Sequence, residues 1–114
     1  MGDYWHDIQD IGPTIDEAKE SDYVILLSHN PDYAERIETD RIDLVLSGHT
    51  HGGQVTFFGL FAPYTNSKYS QKYIAGFAET DHATMYVTRG VGTTFLPVRF
   101  FARPEITAIK LQKE

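Results

Sequence analysis

The 114-residue chain contains no cysteine. Disulfides, zinc–thiolate clusters and a thiol nucleophile are therefore excluded, and any bound metal would be held by His, Asp, Glu or Asn. Positive charge is also scarce, with 10 Lys and Arg against 16 Asp and Glu and a formal net charge of -6. No nucleic-acid-binding surface is evident from that balance, although a local phosphate site stays open. No apolar run approaches the roughly 20 residues that cross a bilayer. The start, Met1-Gly2-Asp3-Tyr4-Trp5-His6-Asp7, has no basic segment followed by a long apolar one, so the chain as it stands reads as soluble. Internal repeats, low-complexity tracts and charge runs are likewise missing. What remains is one domain's worth of residues, 41% of them hydrophobic, enough for a compact core.

Hydrophobic runs and punctuation predict an α/β unit. Thr14 to Glu20 reads as a short helix after Pro13, with Thr14 as cap and Glu17 at capping-box spacing. Tyr23 to Leu27 is an unbroken apolar run that predicts a strand buried on both faces. Asn30-Pro31-Asp32 then supplies a cap, a first-turn proline and an acid at the positive end of the dipole, predicting a helix to about Glu38. Ile42 to Leu46 is a second apolar run, halted by the glycine-rich Ser47-Gly48-His49-Thr50-His51-Gly52-Gly53. Strand, helix and strand should make a parallel pair, with ligands expected just beyond the carboxyl ends of the strands. Tyr64 to Tyr73 reads as a long loop, Met85 to Thr88 as a third strand, and the alternating Glu105 to Leu111 as a terminal strand. A single partial domain over residues 1–114 is expected.

Three of the five histidines fall at those strand ends: His29 after the first run, and His49 and His51 between glycines after the second. Neutral imidazole is the commonest nitrogen ligand for divalent transition metals. Residues two apart in an extended loop point to opposite sides, so His49 and His51 suit two neighbouring ions better than one unless the backbone turns. Gly48, Gly52 and Gly53 permit such a turn. His6 and His82 read as ordinary surface or hydrogen-bonded histidines. Arg89, in a glycine-flanked turn, and Asn30 are candidate substrate-binding residues, although such an arginine is more often solvated or salt-bridged and a helix cap already explains Asn30. Gln54 beside the histidine loop reads as a brace. Phe57, Phe58, Phe61, Tyr64 and Tyr69 suit a core, a groove or an exposed half-interface.

Ser28-His29-Asn30-Pro31-Asp32, followed by Asp43-Leu44-Val45-Leu46-Ser47-Gly48-His49-Thr50-His51-Gly52-Gly53-Gln54, closely resembles the last two metal motifs of calcineurin-like metallophosphoesterases. The extended Gly-His-Thr-His-Gly-Gly-Gln form resembles the bacterial YkuE- and YaeI-type branch. Tyr86-Val87-Thr88-Arg89-Gly90-Val91-Gly92, Pro97-Val98-Arg99 and Arg103-Pro104-Glu105-Ile106 are similar to the carboxyl-terminal end of that branch. The likeness covers roughly residues 20 to 112.

The resemblance implies the carboxyl-terminal half of a four-layer α/β/β/α sandwich that binds two divalent ions, commonly Mn, Fe or Zn. It implies that His29 and His49 ligate one ion and His51 the other, and that a hydroxide held between the ions attacks a phosphate ester, diester or monoester. The family's other ligands come from an earlier Asp-x-His, a Gly-Asp-x-x-Asp and a Gly-Asn-His-Asp/Glu motif, none of which occurs here. Gly2-Asp3-Tyr4-Trp5-His6-Asp7 has the wrong acid spacing and no preceding strand, so it is rejected as the bridging site. This chain is thus expected to lack the amino-terminal half, and no catalytic residue is assigned within it. Three neutral ligands split between two ions imply weak or absent metal binding and little turnover by the chain alone. The missing half is the expected partner, and a homo-oligomer through exposed apolar surface is a further one. The whole protein would be cytoplasmic or membrane-associated. The rival expectation is a non-catalytic oligomeric or metal-binding interaction module.

Overall fold

The computed structural model describes residues 9–112. The Gly2 to Asp7 segment and His6 lie outside the described residues.

The first helix, α1, covers Gly12–Ile15 and not 14 to 20. Pro13 occupies its first turn, and the Asp10 carboxylate accepts the Gly12 N–H at 3.0 Å, so Asp10 does the capping that Thr14 was expected to do. Thr14 instead lies inside the helix.

Four strands follow: β1 (Ile25–Leu27), β2 (Leu44–Ser47), β3 (Gly76–Glu79) and β4 (Thr84–Val87). They form one mixed sheet in the order β1-β2-β4-β3, in which β1, β2 and β4 run parallel and β3 is antiparallel to β4. The parallel β1–β2 pair agrees with expectation. The expected span and burial of β1 do not, because Tyr23 is 60% and Leu27 73% exposed. At Val24 the Asp43 carboxylate takes the N–H at 2.6 Å where a ladder bond would otherwise begin, and β1 lies at the sheet's edge.

The connection from β1 to β2 is a 3₁₀ helix over Pro31–Arg36, not an α-helix to Glu38. Asn30 caps it as expected, its side-chain oxygen accepting the Asp32 N–H at 2.9 Å. The helix ends because Ile37 turns to extended backbone and buries its side chain in the core. A second short 3₁₀ helix, Ser70–Tyr73, interrupts the expected loop and places Tyr73 fully inside.

Strand β3 was not expected: of its residues only Ala78 packs against the core, while Phe77 is 75% exposed, so its apolar pattern is faint. The expected terminal strand over 105 to 111 is not one. Those residues belong to no strand of the sheet, and the half-buried Glu105 and Thr107 alternate with exposed neighbours, which accounts for the pattern in the sequence.

The core lies on one face of the sheet, where Leu26, Val45, Met85 and Val87 pack against Tyr33, Ala34 and Ile37 of the crossover and against Tyr73. The opposite face carries Ile25, Leu27, Leu46, Phe77 and Tyr86, none of them buried. The molecule is a slab of 43 × 37 × 22 Å with one sheet face packed and the other largely open.

Candidate metal centre

The parallel ladder continues past the assigned strands: Ser28 N–H donates to Leu46 O, Gly48 N–H to His29 O, and Thr88 N–H to Ser47 O. The carboxyl ends of β1, β2 and β4 are therefore held side by side, and His29, His49 and Arg89 each stand two residues beyond a strand end. This is the edge where ligands of parallel sheets bind. A depression of about 310 Å³ opens there, lined by His29, Ser47, Gly48 and Thr88 among others.

His29 Nε2 and His49 Nδ1 are 3.1 Å apart, their rings edge to face at 68°. Burial holds the His49 ring below the usual imidazole range, the nearby His29 adds to that, and the buried Asp32 carboxylate opposes it. His49 is thereby kept neutral near pH 7, the form that donates a lone pair. Two imidazole nitrogens at this spacing suit neighbouring ligands on one divalent ion, whose bonds to nitrogen are about 2.0–2.1 Å. The donor set thus fits such an ion in part. Among the described residues no group of three or more His, Cys, Asp or Glu side chains surrounds one point.

His51 does not complete a three-membered group with that pair. His49 and His51 have φ of 68° and 52°, and Gly52 and Gly53 follow at 64° and 72°. Four left-handed residues out of five make a tight coil about Thr50, which is buried and donates its hydroxyl to Ile74 O at 2.8 Å. Strain of this sort persists only where surroundings over-determine it. Here the surroundings are specific. A Cβ on Gly52 would stand 2.8 Å from Arg89 Cγ, so the histidine coil lies directly against the Arg89 stem. His51 Nδ1 faces the Gly92 carbonyl at 3.2 Å.

The other candidates divide. Asn30 is buried; its oxygen caps the crossover, while its side-chain nitrogen has no hydrogen-bond partner among the described residues. The Arg89 guanidinium is tied to Glu105 at 3.1 Å. Glu105 in turn accepts from the Tyr86 hydroxyl, which, with Thr107 and the Arg89 charge, holds its carboxyl below the usual range. Gln54 is the brace expected of it: its amide donates to Thr94 O and Leu96 O and its oxygen accepts Thr94 N–H at 2.7 Å. The aromatics Phe57, Phe58, Phe61, Tyr64 and Tyr69 are all exposed rather than core. His82 pairs with Asp40 at 2.8 Å, in the turn between β3 and β4 and ahead of the amino end of β4.

Two residues matter more than their sequence positions suggested. Asp32, read only as a helix-start acid, is 2% exposed and accepts from Ser67 Oγ at 2.5 Å and Lys68 N–H at 2.8 Å. It thereby ties down the segment containing Asn66, whose carbonyl hydrogen-bonds the His49 ring. Arg99 reaches the histidine loop from 48 residues away. Both stand in family-like segments, Asp32 after Asn-Pro and Arg99 in Pro97-Val98-Arg99, but nothing local marked the carbonyls that Arg99 reaches.

No protein-family model matches the chain, and no solved structure gives a significant match. Curated relatives do. The chain is 39% identical over 99 residues to an uncharacterised metallophosphoesterase, YkuE, of Bacillus subtilis, covering 87% of this chain and 34% of that protein. It is 37% identical over 87 residues to the phosphodiesterase YaeI of Escherichia coli, covering 76% of this chain and 32% of that protein. A transmembrane protein with metallophosphoesterase domain from Danio rerio is 38% identical over 92 residues, with 79% and 20% covered. The chain thus spans about a third of the length of the bacterial relatives it matches.

Proposed function

Because the chain belongs to the metallophosphoesterase family, we propose that it is the carboxyl-terminal portion of a metal-dependent hydrolase of phosphate esters, carrying part of a two-ion centre. The observation that supports this most is the 3.1 Å approach of His29 Nε2 to His49 Nδ1 at the ends of adjacent parallel strands. In this reading His29 and His49 hold one ion and His51 another, with Mn, Fe or Zn as the metal. Divalent ions bound there supply Lewis-acid neutralisation of phosphoryl charge and activation of water at neutral pH.

This chain's residues bind and orient. In this reading His49 and His51, on the left-handed coil over 49–53, each serve their own ion; that the described histidines and acids form no group of three is in keeping with it. The buried Asn30 side-chain nitrogen is a donor with no partner among the described residues, suited to a phosphoryl oxygen. In this reading Arg89, ion-paired to Glu105 and packed on Gly52, meets the same anion. The remaining ligands, the bridging carboxylate among them, come from the part of the domain aligned with the other two thirds of the relatives. That part also covers the open sheet face and completes the four-layer sandwich. Phosphodiesters are the favoured substrates, on the name of YaeI. Among the described residues no helix is long and apolar enough to cross a membrane. One relative is named a transmembrane protein with metallophosphoesterase domain.

The test is hydrolysis of bis(p-nitrophenyl) phosphate with Mn²⁺, by this chain and by a chimera in which it replaces the aligned stretch of YkuE. Activity in the chimera alone, abolished by His49→Ala with His51→Ala, is the expected result. A folded chimera that is silent with Mn²⁺, Fe²⁺ and Zn²⁺ would favour the non-catalytic interaction module. Robust histidine-dependent turnover by the short chain would overturn the division of the site.

A further inference from the structure

Every partner that the described residues give the Arg99 guanidinium is a main-chain carbonyl. Nε donates to Gly92 O at 2.9 Å, and Nη1 to His51 O at 3.1 Å and Ala102 O at 3.0 Å. Nη2 donates to Arg89 O at 2.8 Å, Gly90 O at 3.1 Å and Gly92 O at 2.5 Å. All five N–H groups of one rigid fork are thus used to join the turn after β4, the histidine loop and residue 102. Lysine, with three donors on one flexible stem, cannot span those directions at once.

The Gly92 carbonyl is where this cage meets the candidate metal centre. Besides Arg99 it contacts His51 Nδ1 at 3.2 Å. A carbonyl oxygen only accepts, so this contact is a hydrogen bond when the His51 proton is on Nδ1, which leaves the lone pair on Nε2. An unconstrained neutral imidazole in water prefers the opposite tautomer, and which nitrogen is protonated is set by the hydrogen bond the other makes. The carbonyl itself sits in a turn with left-handed Gly90, a segment that belongs to no strand. The turn is also tied by Glu105 N–H to Gly90 O at 3.0 Å, by Gly90 N–H to Thr88 Oγ1 at 3.2 Å and by Gln54 at Thr94, but among the described residues only Arg99 and His51 hydrogen-bond the Gly92 carbonyl itself.

We propose that Arg99 is a positioning residue for His51: by pinning the Gly92 carbonyl it selects the Nδ1–H tautomer and leaves Nε2 as the ligating atom. Such outer partners of a metal-ligating histidine fix its orientation and raise its basicity. The proposal rests on the reading of His51 as a ligand only for its functional meaning; the tautomer itself is a property of the chain without metal.

The experiment is long-range ¹H–¹⁵N NMR of the metal-free chain, labelled at histidine, near pH 7.5, on the parent and on Arg99→Lys and Arg99→Gln. The parent should show His51 mainly as Nδ1–H. Both variants should reverse the ratio to mainly Nε2–H, with the His82 pattern and the amides of β2 and β4 unmoved. A parent His51 mainly in the Nε2–H form overturns the proposal without recourse to any variant. So does a folded variant that keeps the Nδ1–H form. Zn²⁺ added to the parent separates the two readings: perturbation confined to other residues would remove His51 as a ligand while leaving the Arg99 result intact.

Discussion

Gly53 is packed against Ala62 so closely that a Cβ on Gly53 would overlap the Ala62 Cβ, and Ala62 is itself 1% exposed. Gly52, its neighbour, would meet only the flexible Arg89 stem, with Cγ at 2.8 Å. Both glycines have positive φ, which costs a side-chain-bearing residue about 1 kcal/mol. Gly52→Ala should therefore lower stability by about 1 kcal/mol, and Gly53→Ala by about 3 kcal/mol or more, once overpacking is added. Urea unfolding of the two variants checks the order; equal losses would mean the coil is looser than its geometry.

Gln54 holds Thr94 and Leu96 through three side-chain hydrogen bonds. Gln54→Ala should destabilise the chain by about 1–2 kcal/mol. It should also raise amide exchange at Thr94 far more than at Met85 in β4. Hydrogen-exchange NMR distinguishes this from a uniform loss, which would show that the segment is held by something other than Gln54.

Glu35 joins the crossover to the 70–73 helix by accepting from Lys72 Nζ at 2.5 Å and from the Tyr73 hydroxyl. Burial pushes the Glu35 carboxyl up, but the hydrogen bonds from Lys72 and Tyr73 outweigh it and hold the group below its usual value. A carboxyl depressed on folding contributes stability above its unfolded pKa and loses it as pH falls through the folded one. Glu35→Ala should cost about 1–2 kcal/mol at pH 7, and the gap from the parent should shrink below about pH 4. Burial, with Glu35 beside it, raises Tyr73 to about 12. Tyr73 therefore adds stability that is lost only as pH rises toward that value. Thermal melts across pH 3 to 8 read the first effect, and a gap independent of pH would contradict it.

The parallel pair and its histidine loops were legible because two unbroken apolar runs each end in a short polar or glycine-rich cluster. That pattern is local. Strand β3 was not legible, since Gly76 and Glu79 are weak strand formers and Phe77 faces outward to stack on Tyr86 at 5.0 Å. The alternation over 105–111 misled because extended chain lying against a protein surface alternates whether or not a ladder forms. At the site, the residue types pointed to candidate ligands, while the coil that carries His49 and His51 depends on left-handed φ values at both histidines. Glycine neighbours allow that conformation but do not specify it. The contact between His51 and Gly92 joins positions 41 apart through a carbonyl, which leaves no mark in a sequence.

Paramagnetic titration bears most directly on whether His29 and His49 share an ion. With Co²⁺ added to the ¹⁵N-labelled chain, the ring signals of His29 and His49 should broaden together and first. His49→Ala should lower the apparent affinity at least about tenfold. Broadening confined to the acidic surface or to His82, with the His29 and His49 rings untouched, would contradict the assignment of these strand-end histidines as metal ligands.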